Sequence, residues 1–234
     1  MSSRPTDVLV ADAETKPSVL IVYFTLTKQS GRVADAIAQG FEARGCDTTK
    51  AQLEFTDERW VHNLKQFPMK HPIRQLATIL PAQARHKTGE ITIPPEAHSD
   101  DCDLVVLASP TWWFQTSMPM RSYLESPGAK TALSGKPFAC ASVSRRYYSI
   151  NLGQQKKLGE RNGGRWVDKT HFVSAGGQVK SMLAWLGYMK HGEPQQRVLG
   201  LKMPPPNLQP GFDDQAKAFV DGLVDSVLRP RLTV

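Results

Sequence analysis

The chain has 234 residues, enough for one large α/β domain or for one domain with an insertion, and either can bury a substantial core. Its 29 basic and 22 acidic side chains give a net charge of +7, spread along the sequence, which favours anionic ligands or partners. No apolar stretch approaches the length of a membrane span, which argues against an integral membrane protein. Three widely spaced cysteines without a Cys-x-x-Cys pair argue against a disulfide framework and predict reduced, mostly buried thiols in a cytoplasmic protein. Residues 1–16 lack a signal sequence and are predicted to be a disordered tail, followed by a single domain over residues 17–234.

The first predicted elements are a strand and a helix joined by a hydroxyl-rich loop. An apolar, β-branched run opens residues 18–31, as expected for a strand buried on both faces of a parallel sheet, and a helix follows from Arg32 to Arg44. The loop between them offers free N–H groups, the positive end of a helix dipole and the hydroxyls of Thr25, Thr27 and Ser30, an arrangement that suits a phosphate group. An equally open alternative is that Ser30 only caps the helix and the threonines are turn residues. Without a Walker motif or a GxGxxG pattern, one terminal phosphate is favoured over a triphosphate or a pyrophosphate.

Residues 48–53 predict a weak second strand, and residues 55–100 then interrupt the alternation of strands and helices. Within this insertion, Thr56 predicts one helix start and Pro72 another, and Pro81 and the Pro94-Pro95 pair predict its end. Its four histidines share no close spacing with cysteines or carboxylates, so no metal site is expected. The ordinary interpretation of the segment is a solvated basic flap, with a lid over a ligand or a dimer contact as the alternative.

Strands and helices alternate again downstream of the insertion. Strands are predicted over residues 103–109 and 136–143, and the fifth strand is either 166–173 or 197–201. Helices are predicted over residues 118–125, 151–161, 179–189 and 213–228. The order predicts a doubly wound, mainly parallel five-stranded sheet with helices on both faces and an insertion after the second strand. Ligands bind such sheets at the carboxyl ends of the strands, which directs attention to loops 25–30, 110–117 and 144–149.

The second of these loops contains three adjacent aromatic residues between Pro110 and Pro119, namely Trp112, Trp113 and Phe114. A flat, partly apolar ligand explains three large rings in one loop, and the prolines would hold its backbone rigid for hydrogen bonding to a ring system. The alternative is that the rings return to the core or form a subunit contact. A stacking platform for nucleic acid is less favoured, because basic residues do not interleave with the rings.

The third loop, residues 144–149, places two arginines beside two tyrosines. Cations next to phenols suit a phosphate, a nicotinamide cofactor or an oxidised ring substrate. A solvated arginine pair over partly buried tyrosines is the alternative that the residues leave open. The position after the fourth strand favours the functional interpretation.

Two of these segments resemble a known family. The loop of residues 25–30 resembles the FMN phosphate loop of flavodoxin-like proteins, and Ser109 to Phe114 is similar to the isoalloxazine loop of FMN-dependent NAD(P)H:quinone oxidoreductases and related flavin reductases. The resemblance covers residues 18–53 and 103–143 best. It differs from the family at Lys28 and Gln29, where flavodoxin loops usually have glycine and asparagine; Lys28 either pairs with the phosphate or crowds the loop.

The resemblance implies a set of site residues. Those implied to bind FMN are Thr25, Thr27, Lys28, Gln29 and Ser30 at the phosphate, and Pro110, Thr111, Trp112, Trp113, Phe114, Ser144 and Tyr147 at the ring. Arg145 would favour negative charge on the flavin, and Tyr148 would be the proton donor. No metal is implied.

The function implied is electron transfer from NAD(P)H through non-covalent FMN to a quinone or similar small-molecule acceptor, in a homodimer. Two alternatives stay open, a non-catalytic FMN electron carrier and a cofactor-free flavodoxin-like accessory or regulatory module. The basic charge of the chain argues against a simple carrier that docks on basic partners.

Overall fold

The computed structural model describes residues 16–64, 67–198, 200–206 and 208–229, so the predicted tail lies outside the described residues except for Lys16. The helices and strands are, in chain order, β1 (Ser18–Tyr23), α1 (Gln29–Ala43), β2 (Asp47–Gln52), β3 (Glu54–Phe55), α2 (Glu58–Leu64), α3 (Pro72–Ala77), α4 (Leu80–Ala84), β4 (Ile91–Thr92), β5 (Leu104–Trp112), β6 (Gln115–Thr116), α5 (Met118–Leu124), α6 (Pro127–Leu133), β7 (Pro137–Ser144), α7 (Tyr148–Arg161), β8 (Arg165–Val173), α8 (Gln178–His191), β9 (Arg197–Val198), β10 (Leu201–Lys202) and α9 (Phe212–Leu223). A 3₁₀ turn lies at Pro95–His98, and a π-helical turn at Val224–Leu228 extends α9.

Five parallel strands form the central sheet in the order β2-β1-β5-β7-β8. Counted within the sheet alone, this is the order 2-1-3-4-5 of flavodoxin-like doubly wound folds. The chain order reverses between β1 and β5, which creates the crevice where such folds bind ligands. The predicted fold class, including the insertion after the second strand, is therefore confirmed.

Both faces of the sheet are covered, because alternate residues of the central strands point to opposite sides. In β1, Val19 and Ile21 pack towards α1 and α9, while Leu20 and Val22 pack towards α5, α6 and α7. All four are at most 2% exposed. Arg44 at the end of α1 pairs with Asp221 of α9, which joins the two helices of the first face. Among the described residues, no helix combines the length and the apolar character that a bilayer span requires.

Several predicted boundaries differ from the structure. The fifth strand is β8, whereas residues 197–201 contribute to the separate antiparallel pair of β9 and β10. Pro81 does not end the second helical segment of the insertion but lies in the first turn of α4, where its missing N–H costs nothing. The helix predicted from Arg32 begins at Gln29. The strand predicted over residues 103–109 continues to Trp112, because it pairs with β6 in a short antiparallel hairpin.

Candidate functional site

A cavity of about 530 Å³ opens at the carboxyl edge of the sheet. One side, which we call the loop half, is formed by residues 26, 27, 29, 30, 110–114 and 143–147, which belong to the three loops that the topology brings together. The opposite side, which we call the helical wall, is formed by the insertion and α8. The volume lies within the range of about 300–1,000 Å³ that is typical of small-molecule sites.

The loop after β1 presents polar groups to the cavity. Thr27, Gln29 and Ser30 line it, and Ser30 is only 2% exposed. The first turn of α1 leaves N–H groups without intrahelical acceptors, and within the described chain no side chain caps them. Thr25 does not line the cavity, but its buried Oγ1 has no hydrogen-bond partner among the described residues. This loop therefore supplies donors for an anion at a helix N-terminus.

Lys28 occupies the N-cap position of α1 in a left-handed conformation, with φ 63° and ψ −6°. Its carbonyl accepts a hydrogen bond from the N–H of Arg32 at 3.0 Å. Its side chain is exposed and is not part of the cavity lining, so it does not block the loop. The backbone thus adopts at Lys28 the conformation that glycine adopts freely, at a cost of about 1 kcal/mol for a lysine.

The aromatic loop is a two-residue hairpin between β5 and β6, in which Trp112 pairs with Gln115. Its central residues, Trp113 and Phe114, have φ values of 46° and 71°. Positive φ at both positions is typical of a type I′ turn, which Asn-Gly normally fills. The two rings are nevertheless 41% and 51% exposed and line the cavity. Bulky side chains in this conformation store strain of about 1–3 kcal/mol each, which proteins concentrate at ligand sites.

The two tryptophans have different environments. Trp112 is half-buried, with its ring edge-on to Phe24 at 5.5 Å and to Phe55 at 6.2 Å between centroids. It therefore packs partly into the core, as the alternative interpretation of this loop expected, while it still lines the cavity. Trp113 projects from the turn and makes the more exposed surface.

A buried polar network beneath the hairpin fixes its position. The amide of Asn151, in α7, is fully buried and donates to Ser142 Oγ at 2.9 Å and to Thr111 Oγ1 at 3.1 Å. Its Oδ1 accepts from Thr116 Oγ1 at 2.8 Å and from Gln155 Nε2 at 2.7 Å. One side chain thus joins the ends of β5, β6 and β7. This role could not be predicted from the sequence, because a single asparagine in a helix carries no pattern.

Arg121 continues this network away from the cavity. It is 5% exposed and donates to the amide oxygens of Gln115 at 3.3 Å and Gln154 at 3.1 Å. Burial lowers its pKa, because the guanidinium loses hydration. Gln154 also accepts from the N–H of Thr116 at 3.0 Å, so the same amide supports the hairpin backbone.

The third loop supplies a hydroxyl and two cations. Ser144 lines the cavity, is 8% exposed, and its Oγ has no hydrogen-bond partner among the described residues. Arg145 is half-buried. Burial lowers the pKa of its guanidinium, and the positive charge of the neighbouring Arg146 lowers this pKa further. Tyr147 has a φ of 64°, and its ring lies edge-on to Phe114 at 4.9 Å, which joins the second and third loops.

Tyr148, predicted as the proton donor, lies outside the cavity lining at the first residue of α7. Its ring stacks on His171 with 3.6 Å between centroids. A donor role for Tyr148 stays a prediction, and this geometry does not support it. The other predicted site residues lie on the cavity, apart from Thr25 and Lys28 in the first loop.

Backbone strain is concentrated at this edge of the sheet. Among the described residues, five non-glycine residues have positive φ, and four of them lie in the three loops: Lys28, Trp113, Phe114 and Tyr147. Such conformations persist only where the surrounding structure enforces them, and they are most frequent at functional sites. Their convergence marks the loop half as the candidate site.

The helical wall lies outside the three loops predicted to form the site, and a lid over a ligand was only the alternative interpretation of the insertion. Its lining side chains are mostly apolar and come from the insertion (Leu64, Ile73, Leu76, Ile79) and from α8 (Met182, Trp185, Leu186, Tyr188). The N–H of Met69 donates to the carbonyl of Met189 at 2.7 Å, which joins the insertion to α8. Tyr188 in turn approaches the carbonyl of Thr27 with its hydroxyl at 3.5 Å. The insertion is therefore attached to the site and is not a detached flap.

Solved structures with a similar fold include flavoproteins. A flavoprotein from Lactobacillus acidophilus NCFM, solved in complex with FMN, aligns over 67% of this chain and 93% of its own, with a TM-score of 0.52 and 14% identity. A flavodoxin from Streptococcus pneumoniae TIGR4 aligns over 90% and 99%, with a TM-score of 0.48 and 11% identity. Flavodoxin 1 from Bacillus cereus aligns over 89% and 98%, with a TM-score of 0.49 and 9% identity. No protein-family model matches the chain, and no curated protein matches it. The fold of this chain, by its strand order and by its likeness to the Lactobacillus flavoprotein, is flavodoxin-like.

Proposed function

We propose that this chain binds FMN non-covalently in the loop half and is an oxidoreductase that passes electrons from NAD(P)H to a quinone or similar acceptor. The observation that carries the proposal is the convergence of hydroxyl and N–H donors at the N-terminus of α1 and a strained aromatic hairpin on one cavity at the carboxyl edge of a flavodoxin-like sheet. The similar flavoprotein from Lactobacillus acidophilus is a complex with FMN, which supports the choice of cofactor.

The loop after β1 would hold the phosphate. Ser30 and Thr27 line the cavity, and Thr25 has a buried hydroxyl that needs a partner. The first N–H groups of α1 would donate to phosphate oxygens, where the helix dipole favours negative charge. Lys28 stands where flavodoxin loops usually have glycine, but its backbone is left-handed, as a glycine there could be. The loop conformation therefore remains compatible with phosphate binding.

The hairpin and the third loop would hold the ring. Trp113 and Phe114 offer exposed aromatic surface, and Asn151 holds the base of the hairpin through the side-chain hydroxyl of Thr111. The guanidinium of Arg145 on the same cavity would favour negative charge that develops on a neighbouring ring. When bound, FMN supplies the two-electron chemistry, and these residues orient it and exclude water.

The net charge of the chain supports NAD(P)H as the electron donor, and the apolar wall of the cavity supports a small-molecule acceptor. The chain carries a net charge of +7, which favours association with a polyanionic dinucleotide. A cavity of about 530 Å³ with an apolar wall also offers a place for an apolar acceptor. A non-catalytic carrier would need no such wall.

Titration of the purified full-length chain with FMN tests the cofactor, with quenching of flavin fluorescence as the measurement. Ser30→Ala is expected to weaken binding about tenfold or more, because a buried hydrogen bond to a charged group is lost. Ser226→Ala, at an exposed helical position, is the matched control and should leave the affinity unchanged. Absence of FMN binding by the wild type contradicts the proposal. FMN binding without NAD(P)H oxidation in the presence of quinones supports the carrier instead.

A further inference from the structure

The proposed function places an apolar acceptor at the helical wall without saying what chemistry the wall selects. Ile73 and Leu76 of α3 face the cavity together with Met182 and Trp185 of α8, and none of the three loops contributes to this surface. Ile73 is 68% exposed and Met182 is 42% exposed, although both side chains are large and apolar. Exposed apolar surface of this kind, next to a formed cavity, is typical of a binding site.

The charges on the cavity all have one sign. Of the described residues that line it, only Arg145 and Arg146 are charged, and no carboxylate is present. The potential inside is therefore positive beside an apolar surface. This combination disfavours cationic ligands and favours an apolar ligand that carries negative charge.

Arg146 is placed to meet an anion at one end of the wall. Its Nη2 donates to the carbonyl of Gly176 at 3.1 Å, next to the N-terminus of α8. Met182 and Trp185 follow on α8, about 6 and 10 Å beyond its first residue at a rise of about 1.5 Å per residue. The buried hydroxyl of Ser144, which lacks a partner among the described residues, lies on the same cavity as a further donor.

We propose that the helical wall binds a second ligand, an aromatic or otherwise flat apolar molecule that carries one anionic group at its end. The anionic group contacts Arg146 of the third loop, where the loop half meets the N-terminal end of α8, and the apolar body lies against α8 and α3. That this ligand is the substrate of the enzyme rests on the proposed function. Its binding does not, because the wall is formed by the protein alone.

The probe is 2-naphthoate, and naphthalene-2-carboxamide is its uncharged match. Equilibrium dialysis of each compound against the full-length chain, with and without FMN, gives the two affinities. The wild type is expected to bind the carboxylate about tenfold more tightly than the amide, since a charge-assisted contact is worth about one decade. Arg146→Gln should remove this preference and leave amide binding unchanged. Arg85→Gln, an exposed arginine of the insertion outside the cavity lining, should change neither affinity.

A change in the wall tests the apolar contact. Ile73→Ser, at a position that is 68% exposed, should weaken both compounds about fivefold without loss of folding. Equal binding of carboxylate and amide by the wild type overturns the proposal, as does a preference that survives in Arg146→Gln. Displacement of naphthoate by stoichiometric FMN also overturns it, because the compound would then occupy the loop half. Failure to bind FMN contradicts the proposed function alone, since dialysis with the flavin-free chain still decides the second site.

Discussion

The two sides of the cavity are built on different physical principles. The loop half consists of strained backbone held by a buried polar network. The single side chain of Asn151 makes hydrogen bonds to Thr111, Ser142 and Thr116 in this network. The helical wall consists of relaxed helices with apolar side chains and few polar contacts. A strained and networked surface fixes the positions of a ligand's polar atoms, whereas an apolar helical surface accommodates shape. We therefore expect the loop half to have narrow ligand specificity and the helical wall to tolerate exchanges among apolar side chains.

The largest expected effect lies in the network of the loop half. Asn151→Ala removes the hydrogen bonds of this amide to Thr111, Ser142 and Thr116. It also removes the acceptor of the buried Gln155 Nε2, so we expect the free energy of unfolding to fall by about 3 kcal/mol. Urea denaturation measures it. Asn162→Ala is the matched control, since that amide donates one hydrogen bond, to the carbonyl of Leu124 at 2.7 Å, and should cost about 1 kcal/mol. Equal losses in the two variants would contradict the central role of the network.

The insertion contains instead an ion pair between the buried Asp57 and the exposed Arg59. Asp57 is 1% exposed and accepts from Arg59 Nε at 2.9 Å and from the N–H of Glu90 at 3.0 Å. The Arg59 guanidinium lowers the pKa of the Asp57 carboxyl to about 2. Because the folded-state pKa lies below the unfolded value, the stabilisation of about 2 kcal/mol is present above pH ~4 and is lost as the pH falls towards 2.

Asp57→Asn should therefore lower the free energy of unfolding by about 2 kcal/mol at pH 6 and by roughly half as much at pH 3. Chemical denaturation of both proteins across this pH range measures the difference. Lys50 and Asp35, an exposed ion pair elsewhere in the chain, provide the control, because Asp35→Asn should cost well under 1 kcal/mol. A difference between wild type and Asp57→Asn that does not change with pH would show that the charge is not the cause.

A double substitution in the hairpin should stabilise the fold and lower the affinity for FMN. Replacing Trp113 by Asn and Phe114 by Gly in one double variant relieves two strained residues and loses the contact with Tyr147, for a net gain of about 1 kcal/mol. FMN affinity should fall at the same time, because the exposed rings are removed. A double alanine variant keeps the strain and removes the rings, so it should lose affinity without the gain in stability. If the Asn-Gly variant binds FMN as the wild type does, the rings do not contact the cofactor.

The smallest effect is expected at Lys28. Lys28→Gly removes the left-handed strain but increases the entropy of the unfolded chain, so the net gain is about 0.5 kcal/mol. Lys28→Met removes the charge and keeps the strain, so it should give no gain. Thermal unfolding of the three proteins distinguishes backbone strain from charge. Destabilisation by glycine would show that the lysine side chain has a structural role in this loop.

The sheet and the position of the loop half could be predicted because they depend on local sequence patterns. Continuous apolar runs such as Val19 to Val22 identify strands buried on both faces, and the parallel topology then brings the following loops to one edge. The strand at β8 was harder to identify, because an edge strand with exposed Lys169 lacks such a run. The wall as a whole could not be predicted, since it depends on contacts between α3 and α8, which are distant in sequence. The same limit applies to Asn151, whose partners come from three different strands.

The enclosure of the cysteines has a practical consequence. Cys140 lies fully buried in β7, and burial raises its thiol pKa well above the usual value; burial likewise raises the pKa of Cys102 to about 11. A thiol-reactive dye can therefore modify them only when the protein opens. Cys46, between α1 and β2 near the edge of the sheet, would react after local fraying, whereas Cys140 would react after separation of the central strands. The labelling rates of Cys46 and Cys140 therefore report how often the sheet opens at its edge and at its centre, without any engineered substitution.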